Sequence, residues 1–242
     1  MIKNFRLAVP LVMALGTASA LLVGCGGGGG DAGSATTTNA ATATTAFPLQ
    51  AGYRARIVAG AADNFTVSGT CAGTASITSS AAVVSTFEGV SGFASAQTAT
   101  MNLSNCTPAT NAVSGTSYFD ASYAPLGSSS PGLEYAKFLT APPPIAASVK
   151  VGDTTVFATL TTYTNSGRTV PTGQRVLSYV IEPDGANTAI VNLISKAFNL
   201  SGQLLYTEQS RYRIAADGGL TAISIDVQYS TTSTVHLVYT KA

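Results

Sequence analysis

Few residues of this 242-residue chain could do acid–base chemistry, since it has one histidine and 11 acidic residues. A Ser-His-Asp site would need that histidine, His236, as its base, yet no GxSxG motif is present. A pair of carboxylates could instead hydrolyse a glycoside without histidine. The carboxylates that fall in or beside C-terminal strand patterns are Glu182, Asp184, Glu208 and Asp226. Asp184 is explained by its Pro-Asp-Gly turn, so we predict no catalytic residue and keep a carboxylate hydrolase as an alternative.

Other side chains could bind rather than catalyse. Arg211 and Arg213 share one strand face and could grip a carboxylate or a phosphate. Tyr118 and Tyr123, with Tyr135 nearby, could form a stacking surface for a sugar or a peptide. A solvated sheet face and ordinary packing are the simpler interpretations of these two groups.

The strand pattern that must position these residues is clearest in the C-terminal half. Six short alternating runs begin near Thr154 and recur about every 14 residues, with turn compositions between them. The later runs cover residues 175–182, 188–198, 203–214, 220–229 and 233–240. This spacing is typical of an antiparallel meander.

Alternation within these runs predicts which side chains share a face. In residues 203–214, Glu208 falls on the same face as Tyr206, whereas Arg211 and Arg213 fall on the other. A buried carboxylate would have a raised pKa, although a bulge near Glu208 would turn it to solvent.

The run at 189–198 fits two structures. Ile190, Leu193, Ile194 and Ala197 have helical spacing, but the turns on both sides favour a strand. We predict a strand and keep a helix packed on the sheet as the alternative.

The N-terminal half has a weaker pattern. Its candidate strands are residues 53–60, 65–78, 82–90 and 95–103, followed by a turn-rich stretch over 114–130. Residues 140–148 contain three prolines and must form a loop, which could separate two domains near residue 145. About 195 residues also suit one sandwich or barrel. The sequence therefore predicts one all-β domain over 47–242, an antiparallel meander forming a sandwich or a half-open barrel.

The first residues have the layout of an export signal. Lys3 and Arg6 precede a run from Leu7 to Val23 that is apolar or small. An ordinary secretory signal would be cut after Ala18 or Ala20. A retained transmembrane anchor is the other alternative, because the run is just long enough to span a bilayer.

The sequence Leu22-Val23-Gly24-Cys25 resembles the lipobox of bacterial lipoproteins. The resemblance covers the first 25 residues. It implies that residues 1–24 are a signal peptide and that Cys25 is acylated, with palmitate among its acyl chains. In Gram-negative lipoproteins an aspartate after the cysteine favours the inner membrane; Gly26 stands here, which favours the outer membrane. Residues 25–46 would then form the lipidated cysteine and a flexible tether, since 26–46 lack large apolar residues.

The remaining cysteines are assigned on the basis of that export signal. Cys71 and Cys106 would form a disulfide in an oxidising compartment. A metal pair is the alternative, but the chain has one histidine and no CxxC motif, so we predict no metal and no cofactor.

Charge and composition limit the partners. Lys3 and Arg6 leave with the signal, so the 12 basic residues fall to 10 against 11 acidic ones, which argues against a nucleic-acid partner. In layout the body is similar to small β-rich envelope lipoproteins of proteobacteria, a likeness that implies no activity. We expect a lipid-anchored envelope protein whose domain binds or scaffolds a protein or glycan. A carboxylate hydrolase and a carrier of a hydrophobic ligand are the alternatives.

Overall fold

A computed structural model of the protein describes residues 43, 45–106, 108–230 and 235–242. The signal segment, Cys25 and nearly all of the tether lie outside the described residues. The described chain forms one helix, α1 (Leu49–Ala59), and thirteen strands. The strands are β1 (Ala61–Gly69), β2 (Ala72–Ser79), β3 (Val83–Phe87), β4 (Val90–Ser104), β5 (Thr110–Asp120), β6 (Pro125–Ser130), β7 (Glu134–Phe138), β8 (Thr154–Tyr163), β9 (Pro171–Pro183), β10 (Thr188–Asn199), β11 (Leu204–Ala215), β12 (Leu220–Tyr229) and β13 (His236–Lys241).

The strands form one antiparallel sheet that closes on itself. Strands β3 to β13 follow one another as a meander, and β13 then pairs with β1, which pairs with β2. Strand β2 in turn pairs with β4, and this contact closes a barrel of 12 strands. Strand β3 pairs with β4 beyond the end of β2. The predicted all-β meander is confirmed, and the barrel is closed rather than half-open.

Alternation places apolar side chains inside the barrel, as the period of two requires. On β9, Leu177, Tyr179 and Ile181 are buried inside, while the residues between them are half-buried on the outer face. The apolar interior forms a large cluster that includes the helix and a smaller one on the inner face of β7, β8 and β9.

Helix α1 lies across one end of the barrel, which we call the helix end. Leu49, Tyr53 and Ile57 recur every four residues and are buried, and the Tyr53 ring meets Phe119 edge-on at 6.4 Å. The prediction of a strand over 53–60 is therefore wrong. Alternating apolar and polar residues over Tyr53–Ile57 led to the strand prediction. The signals for a helix were Pro48 directly before it and Gly60, at φ +71°, directly after it.

The other end of the barrel, the disulfide end, holds the turns that contain Cys71 and Cys106. These two residues follow β1 and β4, and the predicted pair is bonded, with Cα atoms 5.7 Å apart. The bond ties the closing pair of strands together where Ala72 faces Ser104.

Several predicted element boundaries need correction. The single strand expected over 65–78 is two strands, because the chain turns at Thr70-Cys71. The stretch 114–130, expected to be turn-rich, holds most of β5 and all of β6. Residues 140–148 contain no strand, as their three prolines predicted. Residues 189–198 lie in β10, so the strand interpretation is confirmed.

Candidate binding site inside the barrel

Polar side chains occupy the inner face towards the disulfide end, where apolar residues would be expected. We call this set the polar layer. Its members are Glu134, Arg175, Ser195, Tyr206, Glu208, Ser210 and Tyr229. They come from β7, β9, β10, β11 and β12, and regular register brings them together: Ser195 faces Glu208, and Tyr206 faces Tyr229.

Arg175 is the positive charge of the polar layer. Its side chain is 5% exposed and donates from Nη2 to Glu134, whose side chain is 29% exposed. Ala197 lies between Arg175 and Tyr206 in the register, and its small side chain leaves the guanidinium within reach of the tyrosine. Burial alone would lower the pKa of Arg175, but the Glu134 carboxylate, with Tyr206 and Glu208, holds it above its ordinary value.

Glu208 is the buried carboxyl group of the polar layer. It is 3% exposed, and Oε1 accepts a hydrogen bond of 3.0 Å from Ser210 Oγ. Burial raises its pKa to about 8, against the opposing effects of the Ser210 hydrogen bond and the Arg175 charge. No bulge turns it to solvent, so its predicted place on the apolar face is confirmed. The carboxyl group therefore remains largely protonated at neutral pH.

Three atoms of the polar layer have no hydrogen-bond partner among the described residues. They are Glu208 Oε2, Ser195 Oγ and Arg175 Nε. Buried polar atoms are normally paired with protein or with water. Two further such atoms among the described residues, Arg56 Nε at the helix end and Asn192 Oδ1, lie outside the layer, so the layer holds three of the five.

The helix end carries a separate charged group that fixes α1 to the barrel. Asp63 accepts hydrogen bonds from Arg56 of the helix and from Lys241 of β13, the latter at 2.7 Å, and the Arg56 guanidinium lies 5.1 Å from the Tyr212 ring centre. Burial alone would raise the pKa of Asp63, but Lys241 and Arg56 hold it below its ordinary value. A small space of about 20 Å³ beside Arg56 and Phe119 could hold one water molecule.

The predicted arginine pair lies on the outer face of β11, where both side chains meet carboxylates. Arg211 Nε donates to Glu182 at 3.1 Å, and Arg213 donates two hydrogen bonds to Asp184 at 2.7 and 3.1 Å. Asn192 is buried on β10, between β9 and β11, and donates a hydrogen bond to Glu182 of β9. A ligand anion would have to displace these carboxylates.

The predicted tyrosines do not lie beside the arginines. Tyr118, on β5, stacks on Phe87 with ring centres 4.3 Å apart, and β5 is six strands from β11 in either direction around the barrel. Tyr123 stacks on Phe93 at 4.6 Å and lies under Arg54 of α1. It lines an open groove of about 560 Å³ along the outer side of the helix.

The remaining candidate groups have structural partners. His236 lies on the outer face, where its Nε2 is 3.0 Å from Asp226 Oδ1. Within the part of the chain that the structure describes, no three His, Cys, Asp or Glu side chains come together as metal ligands would. The described chain also contains no helix with the length and apolar character needed to cross a membrane.

Comparison with known proteins gives no relative: no protein-family model, curated protein or solved structure matches the chain. Its function must be inferred from its own residues. Of the polar layer, sequence reasoning identified Glu208, through alternation, but missed Arg175 and Glu134. Both of these charges also fall on inward positions of their strands, a signal that could have found them.

Proposed function

We propose that this chain is a lipid-anchored protein of the bacterial envelope whose barrel is a non-catalytic binding module for a small polar ligand. The observation that carries the binding proposal is the set of unpartnered, buried polar atoms at Glu208, Ser195 and Arg175. Leaving such groups unpaired costs roughly 1–3 kcal/mol each, and a ligand that pairs with them would offset that cost.

The anchor is proposed from the lipobox resemblance at Leu22–Cys25 and the polar stretch that follows it. Acyl chains on Cys25 would hold the domain at a membrane, with the outer membrane favoured by Gly26. Residues 26–46 would space the barrel from the lipid surface. The partner would then be an envelope molecule, a glycan or a protein-derived compound, and not a nucleic acid.

Palmitate labelling in a Gram-negative host tests the anchor. We expect the wild-type chain to take up label and Cys25→Ala to take up none, while Cys71→Ala, the control, still does. Label in Cys25→Ala would contradict the anchor. Separating inner from outer membranes would test the location.

A thermal-shift screen tests binding. The mature chain in a non-ionic detergent is exposed to millimolar organic acids, amines, polyols and sugars. At least one class should raise the melting temperature of wild type, and the shift should be lost when Glu208→Leu fills the polar layer. No shift from any class, or equal shifts in both proteins, would contradict binding in this layer.

A hydrolase that uses carboxylates is the second candidate. Glu208, with its pKa raised to about 8, holds a proton at neutral pH as a general acid must. Glu134 is the second carboxylate of the layer, but it is bonded to Arg175. Turnover of aryl glycosides by wild type and its loss in Glu208→Gln would favour the hydrolase over the binding module.

A carrier of a hydrophobic ligand has less support. The apolar half of the barrel is occupied by α1, whose Leu49, Tyr53 and Ile57 are buried there. An apolar ligand of ordinary size would have to displace this helix. Hydrogen exchange in α1 that rises on adding a fatty acid would favour the carrier.

A further inference from the structure

The charges of the polar layer do not balance around Glu208. Arg175 is the layer's cation, and it is bonded to Glu134 rather than to Glu208. Ser210 supplies the one hydrogen bond that Glu208 accepts, and Glu208 Oε2 has no partner among the described residues. An ionised Glu208 would therefore lack a counter-ion of its own.

Apart from Arg175, the groups that face Glu208 are neutral. Register places Ser195 of β10 and Val227 of β12 beside it. The titratable groups close enough to interact with it electrostatically are Arg175 of β9, Tyr212 of β11, Tyr229 of β12, Tyr239 of β13 and, on its own strand, Tyr206. Burial raises the pKa of Tyr229 and of Tyr212 to about 12, so both phenols are uncharged at neutral pH.

Two aromatic side chains lie near Glu208 on the inner face of the barrel. Tyr206 and Tyr229 lie in the next row of the inner face, with ring centres 5.6 Å apart and planes tilted by 46°. The faces of aromatic rings attract cations, and the attraction is greatest where water is excluded. Because Arg175 is bonded to Glu134, the Glu208 carboxyl group and the two tyrosines are free to form the environment of a second cation.

We propose that the polar layer binds a small organic ammonium ion, with Glu208 as its counter-ion and Tyr206 and Tyr229 as its aromatic wall. This inference rests on the proposed binding function and names its ligand class. Ser195 Oγ, the second unpartnered oxygen, accepts an N–H when the ligand has one. Glu134, at the start of β7, is the partly exposed member of the layer's ion pair, with 29% of its side chain exposed.

Binding is coupled to a proton. The free site holds Glu208 as a carboxylic acid, and the bound site holds a carboxylate beside the ammonium ion, so the O–H bond breaks and the proton passes to solvent. With the pKa of Glu208 at about 8, binding at pH 7 releases about 0.9 proton, and the apparent affinity rises about tenfold from pH 7 to pH 9.

Isothermal titration of the full mature chain in non-ionic detergent tests this. The probes are methylammonium and tetramethylammonium, with tert-butanol as the uncharged counterpart of the second. Titrations at pH 7 in phosphate, which contains no amine, give the affinity, and a pH-stat titration in unbuffered salt solution gives the number of protons released. We expect saturable binding of at least one ammonium probe, release of nearly one proton, and none of these effects with tert-butanol.

Two variants separate the outcomes. Glu208→Gln keeps the size of the side chain and should weaken ammonium binding by at least about tenfold. Glu182→Gln, on the outer face, should leave it unchanged. Ammonium binding that survives Glu208→Gln, or that releases no proton, overturns the inference. Binding of neutral sugars or polyols that depends on Glu208, without ammonium binding, overturns the ligand class but leaves the binding module standing. No binding of any class contradicts both.

Discussion

Replacing Glu208 by glutamine should remove a pH dependence from the stability of the barrel. Glutamine has nearly the shape of a protonated glutamate and no charge at any pH. Wild type and Glu208→Gln should therefore have similar free energies of unfolding near pH 5, where the buried carboxyl group is protonated. The two proteins should diverge as the pH rises, because only wild type must then either hold a proton or bury a charge.

The sign and size of this divergence follow from the pKa. Folding raises the pKa of Glu208 from its ordinary 4.5 to about 8, so the folded state binds more protons than the unfolded state between these values. Stability is then highest at low pH and falls as the pH rises through the folded pKa. At roughly 1.4 kcal/mol for each pH unit of that interval, wild type should lose about 4 kcal/mol relative to Glu208→Gln between pH 5 and pH 9.

The other side chains with a shifted pKa do not change charge between pH 5 and pH 9. The pKa values of Asp63, Glu88 and Asp184 lie below their ordinary values, so their contributions are lost only in stronger acid. Tyr229 and Tyr212 have pKa values near 12 and would act only in stronger base. Buffers must contain no amines, because an ammonium ligand would stabilise the ionised form of Glu208.

Urea unfolding followed by far-ultraviolet circular dichroism provides the measurement, since the chain has no tryptophan. Profiles of wild type, Glu208→Gln and the outer-face control Glu182→Gln are compared from pH 5 to pH 9. The ion pair of Glu182 with Arg211 is partly exposed, so the free energy of unfolding of Glu182→Gln should stay within about 1 kcal/mol of wild type at each pH. Parallel profiles for wild type and Glu208→Gln would refute the argument that this carboxyl group is buried without a counter-ion.

Three further predictions concern the barrel's closure and its helix. Reducing the Cys71–Cys106 disulfide, which closes a loop of 35 residues, should lower the free energy of unfolding by about 3–4 kcal/mol in urea titrations with and without reductant. Arg56→Ala should lower the free energy of unfolding by about 2–3 kcal/mol. The loss is smaller than for a buried charge left without any partner, because Asp63 keeps its bond to Lys241. Arg54→Ala, on the outer side of α1, should lower it by less than about 1 kcal/mol. Gly52→Ala should destabilise by at least about 1–3 kcal/mol and increase hydrogen exchange in α1, because its Cβ would lie 2.0 Å from a carbonyl oxygen of the facing turn; unchanged stability and exchange would show that α1 does not pack against that turn.

The strands of the C-terminal half could be predicted because their apolar and polar residues contrast strongly at every second position. Leu204–Ala215 is an example, since its tyrosines and Glu208 point inwards and its arginines point outwards. Residues 114–130 lack that contrast, because glycine, serine and alanine occupy both faces. Their strands depend on pairing with neighbours rather than on their own pattern.

Closure of the barrel could not be predicted in the same way. It requires β1 to pair with β13, where Phe65 faces Lys241, and β2 to pair with β4. Neither contact joins neighbours in the meander, and no local pattern specifies the number of strands at which the sheet closes. The pairing of Arg175 with Glu134, 41 residues apart, was missed for the same reason.

The two halves of the barrel interior make opposite contributions to stability. At the helix end, α1 and the aromatic core bury apolar side chains and pair the charge of Asp63. Towards the disulfide end, Glu208, Ser195 and Arg175 keep polar atoms unpaired in positions where leucine or valine would fit the alternation. Apolar residues at such positions are often neutral or stabilising. Polar groups that lower stability in this way are expected at a functional site, which agrees with the binding function proposed above.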